Sequence, residues 1–182
     1  MPKGARITSI VAREVYSGRG HPGIETTVTT ENGAVGTAIA TAGISVGEFE
    51  VKFIYDGGDR FEGLGVRRAS EGINTLVAPA LAGMDSTEQA VIDQAMLDLD
   101  GTPDRSRLGG NAIASVSAAV LRAGAAALGI PLYEHIGGVN ACELPVPGVG
   151  LMNGARRYGG GERAGDKPSY EFMCYGFDTF AD

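Results

Sequence analysis

Apolar and polar positions along this chain change period once, and the change divides it. Before Val51 the period is two: Ile24, Thr26, Val28 and Thr30 alternate with Glu25, Thr27 and Thr29, the pattern of a strand with one buried face. Ile7, Ile10 and Val11 lead an earlier strand, and Val35 to Thr41 gives a third. Glu31-Asn32-Gly33 lies between the second and third, and Asn-Gly is a strong hairpin signal. A charged, Gly-rich connection follows from Val51 to Gly65. From Val66 the period lengthens: Val66, Ala69, Ile73 and Val77 recur at helical spacing. Ser86 with Gln89 fits a capping box ahead of Ile92, Ala95, Met96 and Leu99. The spacing predicts helices near 66–81, 86–99 and 111–128.

The stretch from Leu97 to Gly138 carries the clearest punctuation. Asp100-Gly101 and Pro103 stop one helix, because Asp-Gly favours a turn and Pro lacks a backbone donor. Gly109 and Gly110 break the chain again, and Asn111 is placed to cap the next helix. From Ala112 to Leu128 nearly every side chain is small or aliphatic. Such a helix has high propensity, can approach its neighbours closely and is expected to be buried on most faces. Gly129 is a C-terminal stop, and Pro131 opens a short helix ending at Gly137-Gly138.

Three strands followed by helices predict an α+β fold, an antiparallel three-stranded meander with a helical layer on one side. Leu144-Pro145-Val146-Pro147 forces an extended segment and marks a boundary. The expected division is 1–143 and 144–182. Asn153 to Pro168 is a Gly-rich loop with no core of its own, and Tyr170 to Tyr175 returns to strand character.

Composition narrows the function classes. The 182 residues are 43% hydrophobic, enough for a sizeable core. A net charge of −7 argues against nucleic acid and anionic membrane as partners, since both need clustered basic residues. It leaves room for an anionic small ligand in a local positive pocket. Cys142 and Cys174 form no disulfide framework and read as two reduced thiols, which suits a cytoplasmic protein. No signal peptide is expected, and no apolar run reads as long enough to span a bilayer.

Gly43-Ile44-Ser45-Val46-Gly47 is the most suggestive short motif. Read as a plain turn it has no further role. Glycines on both sides of a serine also suit a loop that closes over a ligand. The hydrolase nucleophile elbow shares the pattern, but it needs a strand–turn–helix context with a downstream His and acid. The only downstream histidine, His135, lies in the helical part. Alternation places Glu171 opposite in direction to Tyr170 and Phe172. A carboxylate buried in a barrel mouth usually has a job, whereas one on a solvated edge need not.

Several segments, in order, resemble the enolase family. They are SIVAREVYSGRGHPGIETTVTTENG (9–33), GISVGEFE (43–50), APALAGMDSTEQAVIDQAM (78–96), LDGTP, LGGNAI, GIPLYEHIGG, LPVP, and YEFM (170–173). The resemblance implies the family's amino-terminal domain followed by the first strands of a truncated α/β barrel. It implies a Mg²⁺-dependent lyase that removes a proton next to a carboxylate and expels hydroxide from the neighbouring carbon, acting on a small phosphorylated acid. Mg²⁺ supports such an enediolate with hard oxygen ligands. By resemblance Ser45 is a metal ligand, Gly43 and Ile44 belong to the substrate-binding loop, and Glu171 is catalytic, helping the hydroxyl to leave. Arg19 resembles an arginine of the dimer interface, so a homodimer is implied. The family's carboxylate ligands and lysines lie on later barrel strands, beyond this chain. A barrel needs about eight strand–helix units and on the order of 250 residues. The expectation is therefore a fragment of a longer protein, inactive alone.

The pattern departs from the family at telling places. Arg157 stands where the active-site His is usual and Tyr170 where Gln is usual, while Ala42 and Ile44 replace Ser and Ala. Arg is permanently charged and cannot exchange a proton as imidazole does. Arg157 is accordingly a candidate substrate-binding residue of a remodelled pocket. The alternative is a non-catalytic enolase-like module. His21 reads as a turn residue bonding the backbone, and His135, near a helix C-terminus, as structural or surface.

Overall fold

The computed structural model describes residues 4–18, 20–43, 47–152 and 170–179. Three strands open the chain: β1 (Ile7–Tyr16), β2 (Pro22–Thr30) and β3 (Val35–Ala40), in the order β1-β2-β3. Both pairs are antiparallel; Ala12 faces Thr26, and Thr26 faces Ala38. The meander and its Asn32-Gly33 turn are as expected. Thr30 N–H donates to Ala34 O across the turn, and Gly33 takes φ +81°, which favours glycine. Ile24, Thr26, Val28 and Thr30 are all buried. On the opposite face Val11 and Ile39 are more than half exposed.

The helices cover only the first of these faces. A contiguous helical run comprises α1 (Arg67–Gly72), a π-turn (Ile73–Val77) and α2 (Ala78–Leu81). It packs on β1. After it come α3 (Gln89–Asp100), α4 (Gly110–Leu128) and α5 (Leu132–Gly137). Left-handed residues end two helices as expected, Gly101 at φ +67° after α3 and Gly129 at φ +70° after α4. The core joins Ile24 and Val28 to Ile73, Leu81, Ile92, Met96, Val116 and Val120. α4 lies across β2 and β3. Its small residues matter most at Gly36, where an added Cβ would stand 2.2 Å from both Ala119 O and Ala123 N.

Three expectations need correction. Ser86 and Gln89 form no capping box. The Ser86 hydroxyl donates to Ala5 O, the Gln89 amide turns to Asp93 and Ser117, and α3 starts at Gln89. The residue before it, Glu88, offers no side-chain cap. Asn111 is not the cap of α4 either. It lies inside the helix, with Gly109 at the cap position, and its side chain serves another segment. Finally, α4 is long and apolar enough, by length and composition, to cross a membrane. Half of it is buried against the rest of the domain, and its Ser115 hydroxyl meets Thr26 of β2 at 2.9 Å inside the core.

Contacts divide the chain into two compact units, Met1–Ala42 with Phe49–Gly138, and Gly43–Glu48 with Val139–Asp182. In the second, β4 (Gly148–Met152) pairs antiparallel with β5 (Tyr170–Met173). These are the strands that the resemblance places at the start of a barrel. A groove of about 540 Å³ in this unit is walled by Leu144, Val146, Val149, Cys174, Tyr175 and Phe177, among others. Cys142 and Cys174 are both free thiols.

Candidate active site

Glu171 sits in the middle of β5, opposite Gly150 of β4. It is exposed, as are its strand neighbours Tyr170, Phe172 and Met173. Its Oε1 lies 3.9 Å from where a Cβ on Gly148 would stand. It does not line the groove. Gly43 follows the buried Ala42 just beyond β3. Ile44, Ser45 and Arg157, and also Arg19, lie outside the described residues, as does most of the Gly-rich loop. Among the described residues no three or more His, Cys, Asp or Glu side chains cluster to hold a metal ion. The described part of the chain therefore does not fit a Mg²⁺ shell by itself. Of the histidines, His21 brings Nδ1 to 3.5 Å from Pro22 O and buries an unpartnered Nε2. The ring of His135 lies against α4, with Nε2 3.0 Å from the place of a Cβ on Gly124.

Glu14, Asp56 and Arg60, which organise the start of α1, were not singled out by the sequence. Glu14 on β1 binds Arg60 through both carboxylate oxygens and accepts from Val66 N–H at 2.8 Å. The Arg60 guanidinium holds the Glu14 carboxyl below the usual carboxylate range, against the opposing effect of burial. Asp56 accepts from the N–H groups of Arg67 and Arg68 at 3.1 and 2.9 Å, closing the start of α1. Just after Arg60 the chain turns through Phe61 and Glu62 at φ +52° and +54°, a conformation that costs a non-glycine residue roughly 1 kcal/mol or more. The signal for this cluster is nonlocal, since Glu14 and Arg60 are 46 residues apart.

A second carboxylate shapes the LDGTP turn. Asp100, 1% exposed, accepts from Thr102 N–H at 3.0 Å, from the Thr102 hydroxyl, and from Leu108 N–H at 2.7 Å. Burial pushes its pKa up, but these donors prevail and the carboxyl is lowered overall. The Asp-Gly-Thr order is a local signal for this arrangement, because Asp side chains bond the backbone two residues on. At the rim of the same turn Lys52 Nζ lies 2.9 Å from Asp104, holding the Asp104 carboxyl far below its ordinary value.

Comparison with known proteins adds to this geometry. The family description "Enolase, N-terminal domain" matches residues 7–136, which run from the first residue of β1 into α5. The chain belongs to the enolase family. It is 44% identical over 180 residues to a protein named Enolase from Methanopyrus kandleri and 43% identical over 178 residues to one from Methanothrix thermoacetophila. Each match covers 97% of this chain but 41% of the relative. The enolase-like chain thus spans about two fifths of the length of the curated relatives it matches. The enolase N-terminal architecture is the sheet with its helical layer, and the strands β4 and β5 lie past the end of the family match.

Proposed function

We propose that this chain is the amino-terminal part of an enolase-type lyase, converting 2-phosphoglycerate to phosphoenolpyruvate or handling a related phospho-acid. The observation that carries the reading is the identity of 44% to an enolase over 97% of the chain. In this reading residues 1–143 are the capping domain and 144–182 the linker and the beginning of the barrel. Glu171 acts on the departing hydroxyl. Gly43 and Ile44 shape the substrate loop, and Arg157 binds an anionic group of the substrate. Ser45 supplies one oxygen to Mg²⁺, whose carboxylate ligands would come from the remainder of the relatives' length. The protein works as a homodimer in the cytoplasm, binding neither nucleic acid nor membrane.

The lone chain, whose described residues gather no metal shell and which spans two fifths of the relative's length, should not turn over 2-phosphoglycerate, because proton transfer and positioned charge supply most of such a rate enhancement. A chimera tests the positive half. This chain replaces the matching two fifths of the Methanopyrus kandleri enolase, and 2-phosphoglycerate dehydration is followed with Mg²⁺ present. Turnover supports the enolase reading. Turnover that appears only with Arg157→His supports an enolase pocket remodelled for another phospho-acid. A folded chimera that is inert in both forms refutes the reading. The replacement of the family's His and Gln by Arg157 and Tyr170 favours one second reading, a non-catalytic enolase-like module, which that inert outcome would support.

A further inference from the structure

The two edges of the meander are treated differently. On the outer side of β1, Ile7 N–H donates to Met84 O and Ile7 O accepts from Gly83 N–H, both at 2.9 Å. Further along, the Asn74 amide bonds both backbone groups of Ala12. β3 has no such cover. At the head of its hairpin with β2, Thr30 N–H donates to Ala34 O. Bonded pairs alternate from there along an antiparallel ladder, so Gly36, Ala38 and Ala40 bond to Val28, Thr26 and Ile24. Val35, Thr37 and Ile39 therefore turn their N–H and C=O groups away from β2. Arg122 of α4 bears this out, since its Nη1 donates to Thr37 O at 2.9 Å. Among the described residues no partner is found for the N–H groups of Val35, Thr37 and Ile39.

This open edge is complementary to itself. Val35 and Ile39 are 52% and 54% exposed and, with Thr37 between them, share the face of β3 turned away from α4. Gly36 and Ala38 take the buried face. When two copies of β3 lie antiparallel about a two-fold axis at Thr37, Val35 of one meets Ile39 of the other and Thr37 meets Thr37. Each of these pairs can exchange both N–H···O bonds, because all the groups concerned point outward. All the side chains brought together are β-branched, which suits cross-strand packing. Thr37 O keeps a second lone pair beside the one that Arg122 uses. No residue from Val35 to Ala40 is charged or a proline, so the strand itself carries none of the usual blunting of an edge.

We propose that the outer edge of β3 is a pairing surface for a second copy of this chain, joining two meanders into one sheet about a two-fold axis at Thr37. The proposal goes beyond the enolase reading and does not depend on it. So short an edge buries little surface, and the association is accordingly weak and governed by concentration. Sedimentation and amide hydrogen exchange on the full 182-residue chain, each at low and high concentration, test it. A monomer–dimer equilibrium is expected, in which the Val35, Thr37 and Ile39 amides gain about tenfold or more in protection at the higher concentration. The Gly36 and Ala38 amides, already bonded to β2, should change little. Ile39→Lys should weaken the dimer about tenfold or more. Val11→Lys adds the same charge to the same face on β1, away from the edge, and should leave the dimer within about threefold of wild type. A chain that stays monomeric at the higher concentration overturns the proposal; protection of the three amides in that monomer would mean that another segment covers the edge. A dimer that leaves these amides unprotected overturns it as well. So does a dimer that Ile39→Lys leaves intact, or one that both lysine variants weaken alike. Where Ile39→Lys does not fold, the wild-type amides decide alone.

Discussion

Gly36 of β3 faces Ala123 of α4 so closely that a Cβ on the glycine would stand 2.2 Å from the alanine's amide nitrogen. The helix can lie this low on the sheet because both positions lack bulk. Gly36→Ala should therefore destabilise the domain by about 1–3 kcal/mol, the usual cost of overpacking a fitted core. The obstacle is backbone, which cannot turn aside as a long side chain would. Ala123→Gly, which removes a methyl and raises the conformational entropy of the unfolded chain, should cost only about 1 kcal/mol. Thermal or urea unfolding of the two variants checks the order; equal losses would mean that the close approach is not tight.

Asn74 sits in the π-turn and closes the edge of β1 at Ala12. Its side-chain oxygen accepts from Ala12 N–H at 2.8 Å and its nitrogen donates to Ala12 O at 2.9 Å. Asn74→Ala would leave a partly buried donor and acceptor without partners, at about 1–3 kcal/mol each before relaxation. The expected loss is about 2–4 kcal/mol, read by denaturant unfolding. A loss within about 0.5 kcal/mol of zero would show that water satisfies Ala12 in the variant.

Glu14, Asp85, Asp100 and Asp104 all have carboxyls lowered from their ordinary values. Each binds protons less readily when the chain is folded, so each stabilises the fold at neutral pH. That stability is lost as pH falls through the ordinary values of 4.5 for Glu14 and 3.8 for Asp100 and on toward the lower folded ones. The unfolding midpoint should be nearly flat from pH 7 to about 5 and fall steeply below about 4. Asp100→Asn puts an amide against N–H donors. It should lose about 1–3 kcal/mol at pH 7 and show a shallower acid limb. An unchanged acid limb would remove Asp100 from this account.

The Glu14–Arg60 pair holds the turn that contains Phe61 and Glu62 in their left-handed conformation. Arg60 also stacks 4.3 Å from the Phe61 ring centroid, and Phe61 meets Tyr16 edge-on at 5.8 Å. Arg60 is 38% exposed, so solvent screens the pair, and Glu14→Gln should cost only about 1 kcal/mol globally. Its clearer effect should be local, with faster exchange of the Val66 and Leu64 amides. Unchanged exchange there would mean that the turn holds itself.

Much of the fold was legible because its signals are local. The Ile24-to-Thr30 alternation, the Asn32-Gly33 turn, and the Gly101 and Gly129 helix ends each depend on a few adjacent residues. Ser86 and Asn111 misled for one reason. Both have cap chemistry at helix-start positions, but each finds a partner far away in sequence, Ala5 for Ser86 and Ile54 for Asn111. Glu14 with Arg60 and Asn74 with Ala12 escaped notice for the same reason. The apolar character of α4 was read correctly as burial, although its length also satisfies a membrane criterion. For the candidate site, family resemblance supplied Gly43, Ile44, Ser45, Arg157 and Glu171. Of these, Gly43 and Glu171 lie among the described residues, and the role of each is a proposal.

The most direct test of the enolase reading is the effect of Glu171→Gln on 2-phosphoglycerate dehydration by the chimera with the Methanopyrus kandleri enolase, in Mg²⁺. The account predicts that the chimera turns over and that the variant, folded and still binding substrate, loses about 10²–10⁴ in kcat, the usual worth of a positioned acid or base. A variant with kcat within about threefold of the parent would contradict it, because a glutamine in place of Glu171 cannot give a proton to the departing hydroxyl on which the proposal has Glu171 act.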